Sequence, residues 1–457
     1  MVLSFVLSPI ATILARRRAA VKGTARYGLG ARRGKGTEGA VVDATPRRVV
    51  AVLGTLDTKG REVAYLADAV RRQGQVPWLI DIGLRGTPSV AADVGRDEVA
   101  RAAGTSMAAL EAEERTEAMR AMGRGAAALL AALHGLGQLA GVVAVGGGKG
   151  TWIATDAMRA LPLGVPKVMV STGVGRDMRA LIGSRDITLM PSIADIAGLN
   201  RITRPILAQA AGSICGMAAA AAEPSPSTGP AIALTMFGIT TPCVLRAQEL
   251  LEAHGYETIV FHANGMGGAA FEDLIEEGLI GAVLDITTTE LADELLGGVC
   301  SAGPHRLEAA GRRGLPQVIA PGALDAVNFG PPETIPAPYE GRRFVRHTPV
   351  VTLMRTTAEE NSALGAIMAG KINAARGPVR VVIPAGGFSA YDGPGEAFHD
   401  PAADRAFIAG LHGALDRRVA VAVRPEHIND GAFAEALVAA LEDLLARTAP
   451  AVAGVPP

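Results

Sequence analysis

The sequence predicts an α/β protein built of two tandem, doubly wound parallel-sheet subdomains with a cleft between them. Three observations carry this. Short, continuously apolar runs such as Val49–Leu53 and Gly141–Val145 alternate with amphipathic stretches, the mark of strands covered by helices on both faces. Four of these runs recur in the same order on either side of a Pro- and Ser-rich segment at 222–230. Gly- and Thr-rich turns follow the runs, at the carboxyl ends of the strands where open α/β sheets bind ligands.

The chain has 457 residues, room for two or three domains. Residues 1–46 stand apart, with eight Arg or Lys and two acids. Val2–Ala15 is apolar but short for a membrane span, and the charges follow it instead of preceding it. A transit peptide, a disordered extension and an upstream start codon are the open readings of this segment. The first subdomain is expected over 47–221 and the second over 231–447, with a frayed tail at 448–457.

The first strand, Val49–Leu53, runs into Gly54-Thr55-Leu56-Asp57-Thr58-Lys59-Gly60 and then a helix over Arg61–Arg72. Val49–Gly54 is matched by Ala231–Gly238, and Val76–Gly83 by Thr258–Gly265. Gly141–Val145 is matched by Gly281–Asp285, and Gly164–Val170 by Gly314–Ala320. Four matches in order point to two sheets of related topology. Beyond Pro332, strands are expected at His347–Met354, Pro378–Pro384 and Val419–Val423. Helices are expected at Thr356–Ala375, Pro401–Leu415 and Ala432–Ala446, the first opening with a capping box from Thr356 to Glu359.

Composition narrows the function. Hydrophobic residues make up 49% and charged residues 19%, so a large core is available, whereas 4% aromatics argues against a stacking surface for single-stranded nucleic acid. A net charge of −1 gives no global field for nucleic acid or membrane. Cys215, Cys243 and Cys300 lie far apart, without the spacing of a zinc site or disulfide framework, which fits a reducing cytoplasm.

Candidate chemistry collects at the strand ends. Gly54, Thr55, Asp57, Thr58 and Lys59 read either as a phosphate cradle or as a capped turn. Asp81 and Gly83 end the second strand. Gly146-Gly147-Gly148-Lys149-Gly150-Thr151 opens a helix expected over Ile153–Ala160, and is either an anion site or a tight turn requiring positive φ. Neither turn has the spacing of a P-loop or of GxGxxG. Ser171, Thr172 and Gly173 form a third polar turn. In the second half the strand ends carry His262, Asn264, Asp285, Thr288 and Glu290. Asp285 ends a buried strand, where a carboxylate is unfavourable unless paired or functional. Arg342, Arg343, Arg346, His347 and Arg355 are either an anion-holding group or a solvated basic edge. Glu359 and Glu360 start a helix, as its dipole favours. The Gly-rich loop Pro384–Gly395 carries Gly386, Gly387, Ser389 and Asp392; Ser389 has no GxSxG elbow.

LGTLDTKG, GGGKGT, LPLGVPKVMVSTG, DIAGLNRI, DITTTEL, PGALDAVNFG, RTTAEEN, AGKIN and PAGGFSAYDGPGEAF occur in that order. Together they resemble the Tm-one-like ATP-binding domain proteins, the family that includes the tomato mosaic virus resistance protein, over about residues 48–447. The resemblance implies tandem Rossmann-like subdomains, a homodimer, and ATP at the first subdomain, held by Gly54, Thr55, Asp57, Thr58, Lys59 and the 146–151 turn. This chain departs from the family at His347-Thr348-Pro349 and at Gly173-Val174-Gly175-Arg176-Asp177. The expected protein is therefore an ATP-binding protein, leaning to an ATP-dependent enzyme on a small anionic metabolite. Mg²⁺ would bridge the phosphates with Asp57 as a ligand. Asp285, Glu290, Glu360, Ser389 and Asp392 would be the catalytic candidates. His262, Asn264, Thr288, Arg355, Gly386 and Gly387 would bind the substrate. A nucleotide-binding regulator without turnover, and an ATP-independent enzyme on a phosphorylated metabolite, are the alternatives.

Overall fold

A computed structural model describes residues 48–175, 178–221 and 231–448. The expectations for residues 1–46, the 222–230 linker, residues 449–457 of the tail and the Arg176 turn fall outside the described residues. The described chain forms two compact units, 48–221 and 231–448.

Unit 1 is a five-stranded parallel sheet in the order β2-β1-β3-β4-β5. The strands are β1 (Val49–Gly54), β2 (Val76–Asp81), β3 (Leu139–Gly146), β4 (Lys167–Ser171) and β5 (Thr188–Pro191). Every residue of β1 and β3 is buried, and side-chain alternation divides them between two cores. Val49, Ala51 and Leu53 pack with α2 (Arg96–Ala102), α3 (Met107–Ala112), α4 (Arg115–Gly135) and α5 (Gly148–Arg159). Val50 and Val52 face the other way, against α1 (Leu56–Arg72) and α7 (Thr203–Ala220); a short α6 covers Arg179–Ile182. Each fully buried Val or Leu contributes about 1.5–3 kcal/mol of transfer free energy, which commits both faces of the sheet to helices.

Unit 2 holds a six-stranded parallel sheet in the order β14-β13-β9-β8-β6-β7. These strands are β6 (Ala231–Met236), β7 (Thr258–His262), β8 (Ile280–Thr287), β9 (Gln317–Gly322), β13 (Val379–Pro384) and β14 (Ala420–Arg424). Its helices are α8 (Thr241–Ala253), α9 (Met266–Glu276), α10 (Glu290–Leu296), α11 (Ala309–Arg313), α12 (Ala358–Asn373), α13 (Pro401–Ala414) and α14 (Gly431–Thr448). Ile232 and Leu234 pack on α8 and α14, and Ala233 on α9. The two sheets share one order for their first four strands, as the matched runs predict: β2-β1-β3-β4 and β7-β6-β8-β9.

The fold corrects several local expectations. His347–Met354 is not one strand. It spans the turn between β11 (Phe344–Thr348) and β12 (Val351–Arg355), which pair antiparallel and join β10 (Ala326–Phe329) in a separate three-stranded sheet. The capping box of α12 is Thr357 with Glu360, one residue later than read from Thr356 and Glu359. Thr356 is buried and spends its hydroxyl on the Leu324 carbonyl, 3.0 Å away. Helix α1 begins at Leu56, not Arg61, and α5 at Gly148, not Ile153. The polar turns are thus the first turns of the helices themselves.

Candidate functional site

In unit 1 the strand order reverses between β1 and β3, and a crevice opens there at the carboxyl ends of the two strands. The cavity measures about 290 Å³ and brings together Thr55, Asp57, Thr58 and Lys59 from the start of α1 with Gly147, Gly148, Lys149 and Gly150 from the start of α5. Two helix N-termini, each with N–H groups outside the helical ladder, therefore address one space.

The local chemistry explains the shape. The Thr55 carbonyl accepts from Thr58 N–H (3.2 Å) and Lys59 N–H (2.8 Å), closing the first turn, and Lys59 at φ −129° breaks the helix just after it. Gly54 admits α1 against the strand end, since a Cβ there would lie 2.4 Å from Val63 Cγ2. Gly146 does the same for α5, with a Cβ meeting Gly150 C and Thr151 N at 2.8 Å. Gly147 has φ −82°, and none of Gly146, Gly147, Gly148 and Gly150 has positive φ. Gly146 serves close approach, whereas a Cβ at Gly147, Gly148 or Gly150 would meet nothing nearer than 3.8 Å, and the positive-φ reading of this turn does not hold.

The predicted cofactor residues separate into two groups. Asp57, Lys149 and the glycine turn line the cavity, and Lys149 is exposed. Lys59 also lines it, but its Nζ donates to the Ile196 carbonyl at 2.6 Å, fastening the loop after β5. Asp81, Thr151 and Ser171 are almost fully buried and do not line this cavity. Thr151 Oγ1 and Ser171 Oγ are hydrogen-bonded at 2.7 Å, and Ser171 Oγ accepts from Gly173 N–H at 2.9 Å. Thr172 and Gly173 are likewise absent from the lining. Asp81 Oδ1 accepts from Leu56 N–H (3.1 Å) and Gly83 N–H (2.9 Å), so it positions the start of α1. Burial pushes its carboxyl above the usual range, against the opposing pull of those two N–H groups. Sequence reading missed Arg85, Glu111, Glu113 and Arg115, which also line the cavity. Arg85 lies just beyond the Asp81–Gly83 turn and was within reach of the strand-end rule; α3 and α4 carry no such local signal.

In unit 2 the proposed catalytic carboxylates are taken up by internal partners. Arg306, fully buried, donates Nη1 to Asp285 Oδ2 (2.6 Å), Nη2 to Asp285 Oδ1 (2.8 Å) and Nε to Glu290 Oε2 (2.6 Å). Thr235 Oγ1 donates to Asp285, while Gly265 and Gly268 N–H groups donate to Glu290 Oε1 at 2.7 and 3.1 Å. Asp285 and Glu290 thus hold the core together instead of facing a substrate. Arg306 gives no sequence signal, sitting in an irregular loop twenty-one residues beyond Asp285.

Glu360 is likewise engaged: it caps α12 and holds Arg342 bidentately at 2.9 and 2.7 Å. Arg355 is buried, donating Nη2 to Asp392 (3.2 Å) and Asp404 (2.8 Å) and Nε to the Phe398 carbonyl (2.7 Å). Arg343 pairs with Asp400. Arg342 and Arg355 are thus held in internal ion pairs, while Arg343, Arg346 and His347 are exposed. Ser389, fully buried, donates to Asp325 Oδ2 at 2.6 Å and accepts from Tyr391 N–H, so no open nucleophile stands there. Burial, reinforced by the Asp392 charge, pushes the Asp325 carboxyl up. Thr288 is buried and donates to the Ala320 carbonyl. Gly386 permits close approach of the His427 backbone, and Gly387 sits at φ +128°. His262 is exposed and stacks on Phe237 at 5.3 Å; Asn264 is exposed, its Oδ1 accepting from Gly267 N–H. Of the substrate candidates these last two are exposed, and Gly386 is half-buried.

Cys215 and Cys243 are buried, and burial pushes the Cys243 thiol up to about 12. Among the described residues no helix is long and apolar enough to cross a membrane. No group of three or more His, Cys, Asp or Glu there is arranged to hold a metal.

The fold and the β1/β3 crevice define a protein of two tandem, Rossmann-like wound α/β units. Family models for the N-terminal and C-terminal domains of the uncharacterised protein family UPF0261 match residues 48–223 and 229–445. The chain belongs to the UPF0261 family. It is 48% identical to a UPF0261 protein of Rhizobium meliloti over 396 residues, covering 86% of this chain and 98% of that one. It is 43% identical to one from Clostridium tetani over 398 residues, 87% of this chain and 98% of that one. The tomato (Solanum lycopersicum) ToMV resistance protein Tm-1 is 44% identical over 307 residues, 66% of this chain and 41% of the tomato protein.

Proposed function

We propose that unit 1 binds ATP in the β1/β3 crevice. The observation that carries this reading is the convergence of the α1 and α5 N-termini on one cavity with Lys59, Arg85, Arg115 and Lys149 in its wall. Helix N-termini and cations stabilise phosphate oxygens through N–H donation and charge. Lysine, which presents its charge at a single point, suits the terminal phosphates. Asp57 lines the same cavity and would share a Mg²⁺ with those phosphates, since this ion characteristically takes one or two carboxylates and completes its shell with phosphate and water. Calorimetric titration with ATP, ADP and NAD(H), each with and without Mg²⁺, tests the reading. Selective, Mg²⁺-dependent ATP binding is the expected outcome. Absence of nucleotide binding overturns it.

The unit 2 geometry favours a second reading for what ATP does. Asp285, Glu290, Glu360, Ser389, Asp392 and Arg355 are occupied by protein partners, so they supply no ready acid, base or nucleophile. A nucleotide-binding regulatory protein without turnover then stands beside the ATP-dependent enzyme. Phosphate release across a panel of small carboxylate and phosphorylated metabolites separates the two.

A further inference from the structure

Unit 1 has a second cavity, about 560 Å³, beside the loop that follows β2; its wall includes Asp81, Ser89, Ala92, Arg96 and Asp97. The guanidinium of Arg96 is the unusual feature. Its Nη1 is buried and has no hydrogen-bond partner. A buried guanidinium nitrogen left without an acceptor is unfavourable by more than an ordinary hydrogen bond. Arg306 and Arg355, buried as whole residues where Arg96 is half-buried, each satisfy several carboxylate or carbonyl oxygens.

Asp81 and Arg96 both line this space, and the two make no direct ion pair. Both protein N–H bonds to Asp81 fall on Oδ1, which leaves Oδ2 without a protein donor. Ser89 is already committed, donating to the Leu56 carbonyl at 3.0 Å. The wall therefore holds a guanidinium with one unpartnered nitrogen and a carboxylate with one uncommitted oxygen. A guanidinium fork matches a carboxylate bidentately. A phosphate dianion gains less, because Asp81 and Asp97 share the wall and repel it.

We propose that this cavity binds a small carboxylate bearing an adjacent amino or hydroxyl group. Arg96 takes the carboxylate, and Asp81 Oδ2 accepts from the neighbouring N–H or O–H. The site does not rest on ATP binding: Asp81 lines this cavity and not the β1/β3 one, although through Oδ1 it also holds the start of α1.

The test is calorimetric titration of the full chain with glycolate, L-alanine, acetate and inorganic phosphate, repeated on Arg96→Gln and Ala92→Leu. Glycolate or L-alanine should bind more tightly than acetate and phosphate. Arg96→Gln should weaken that binding by about tenfold or more, the effect of one lost charge-assisted pair. Ala92→Leu should weaken it by filling the cavity without touching a charge. ATP titration of both variants should be unchanged. Absence of binding by glycolate and L-alanine overturns the proposal, as does a preference for phosphate or equal affinity in Arg96→Gln with an intact circular dichroism spectrum.

Discussion

Arg306 and Asp285 form a two-pronged ion pair, Nη1 to Oδ2 at 2.6 Å and Nη2 to Oδ1 at 2.8 Å, with both side chains fully buried. The same guanidinium reaches Glu290 through Nε and stacks over the Phe271 ring at 5.0 Å. One cation thus ties the end of β8, the start of α10 and the face of α9. Replacing it by methionine leaves two buried carboxylates unpaired. Arg306→Met should lower the stability of unit 2 by about 3–5 kcal/mol, read by urea unfolding. A loss below about 1 kcal/mol would show that the carboxylates are held by their other donors alone.

Lys59 and Lys149 both line the β1/β3 cavity, but only Lys59 also has a structural bond, to Ile196 O. Lys149→Met should weaken ATP binding with a stability change within about 0.5 kcal/mol, as for an exposed residue. Lys59→Met should weaken ATP binding and also destabilise unit 1 by about 1 kcal/mol. Calorimetry paired with thermal unfolding reads both, and ATP affinity unchanged in both variants would remove the phosphate role from these lysines.

Gly146→Ala tests the close approach at α5. The new Cβ would lie 2.8 Å from Gly150 C and Thr151 N, backbone atoms that cannot swing aside. The start of α5 must shift, at about 1–3 kcal/mol of overpacking. ATP affinity should fall with it. A variant of unchanged stability and affinity would mean that the strand end relaxes instead.

Asp404 sets a pH dependence. Burial, with the Asp392 charge adding to it and Arg355 opposing, pushes its carboxyl up from the ordinary aspartate range to about 8. A carboxyl whose pKa is raised by folding binds its proton more tightly in the folded state. Its contribution is therefore fully present below the unfolded value and declines as pH rises through the folded one. Stability should fall between about pH 4 and pH 8 through this group. Asp404→Asn keeps an oxygen for Arg355 and cannot ionise, so it should flatten that slope in pH-resolved thermal unfolding. An unaltered slope would assign the dependence to other groups.

Much of the architecture was legible because its signals are local. The apolar runs at Val49–Leu53 and Gly141–Val145 are strands because both faces are buried, and Gly54 and Gly146 mark where helices approach them. The His347–Met354 run was misread because an apolar stretch alone does not reveal the chain reversal between Thr348 and Val351. Asp285 stands out in the sequence as a carboxylate that burial makes unfavourable unless paired or functional, and the structure pairs it. Its partner Arg306 lies in an irregular loop, where no periodicity points inward.

The sequence by itself determined the alternation of strands and helices, the matched order of the two halves, and the polar turns at the strand ends, since each follows from residue type and short-range spacing. The tertiary structure alone decided which polar residues remain accessible. Asp57 and Lys149 line a cavity, whereas Asp285, Glu290, Glu360 and Asp392 are consumed by arginines distant in sequence. The physical reason is that a buried charge must find an opposite charge, and only the folded chain specifies which one lies within hydrogen-bond reach.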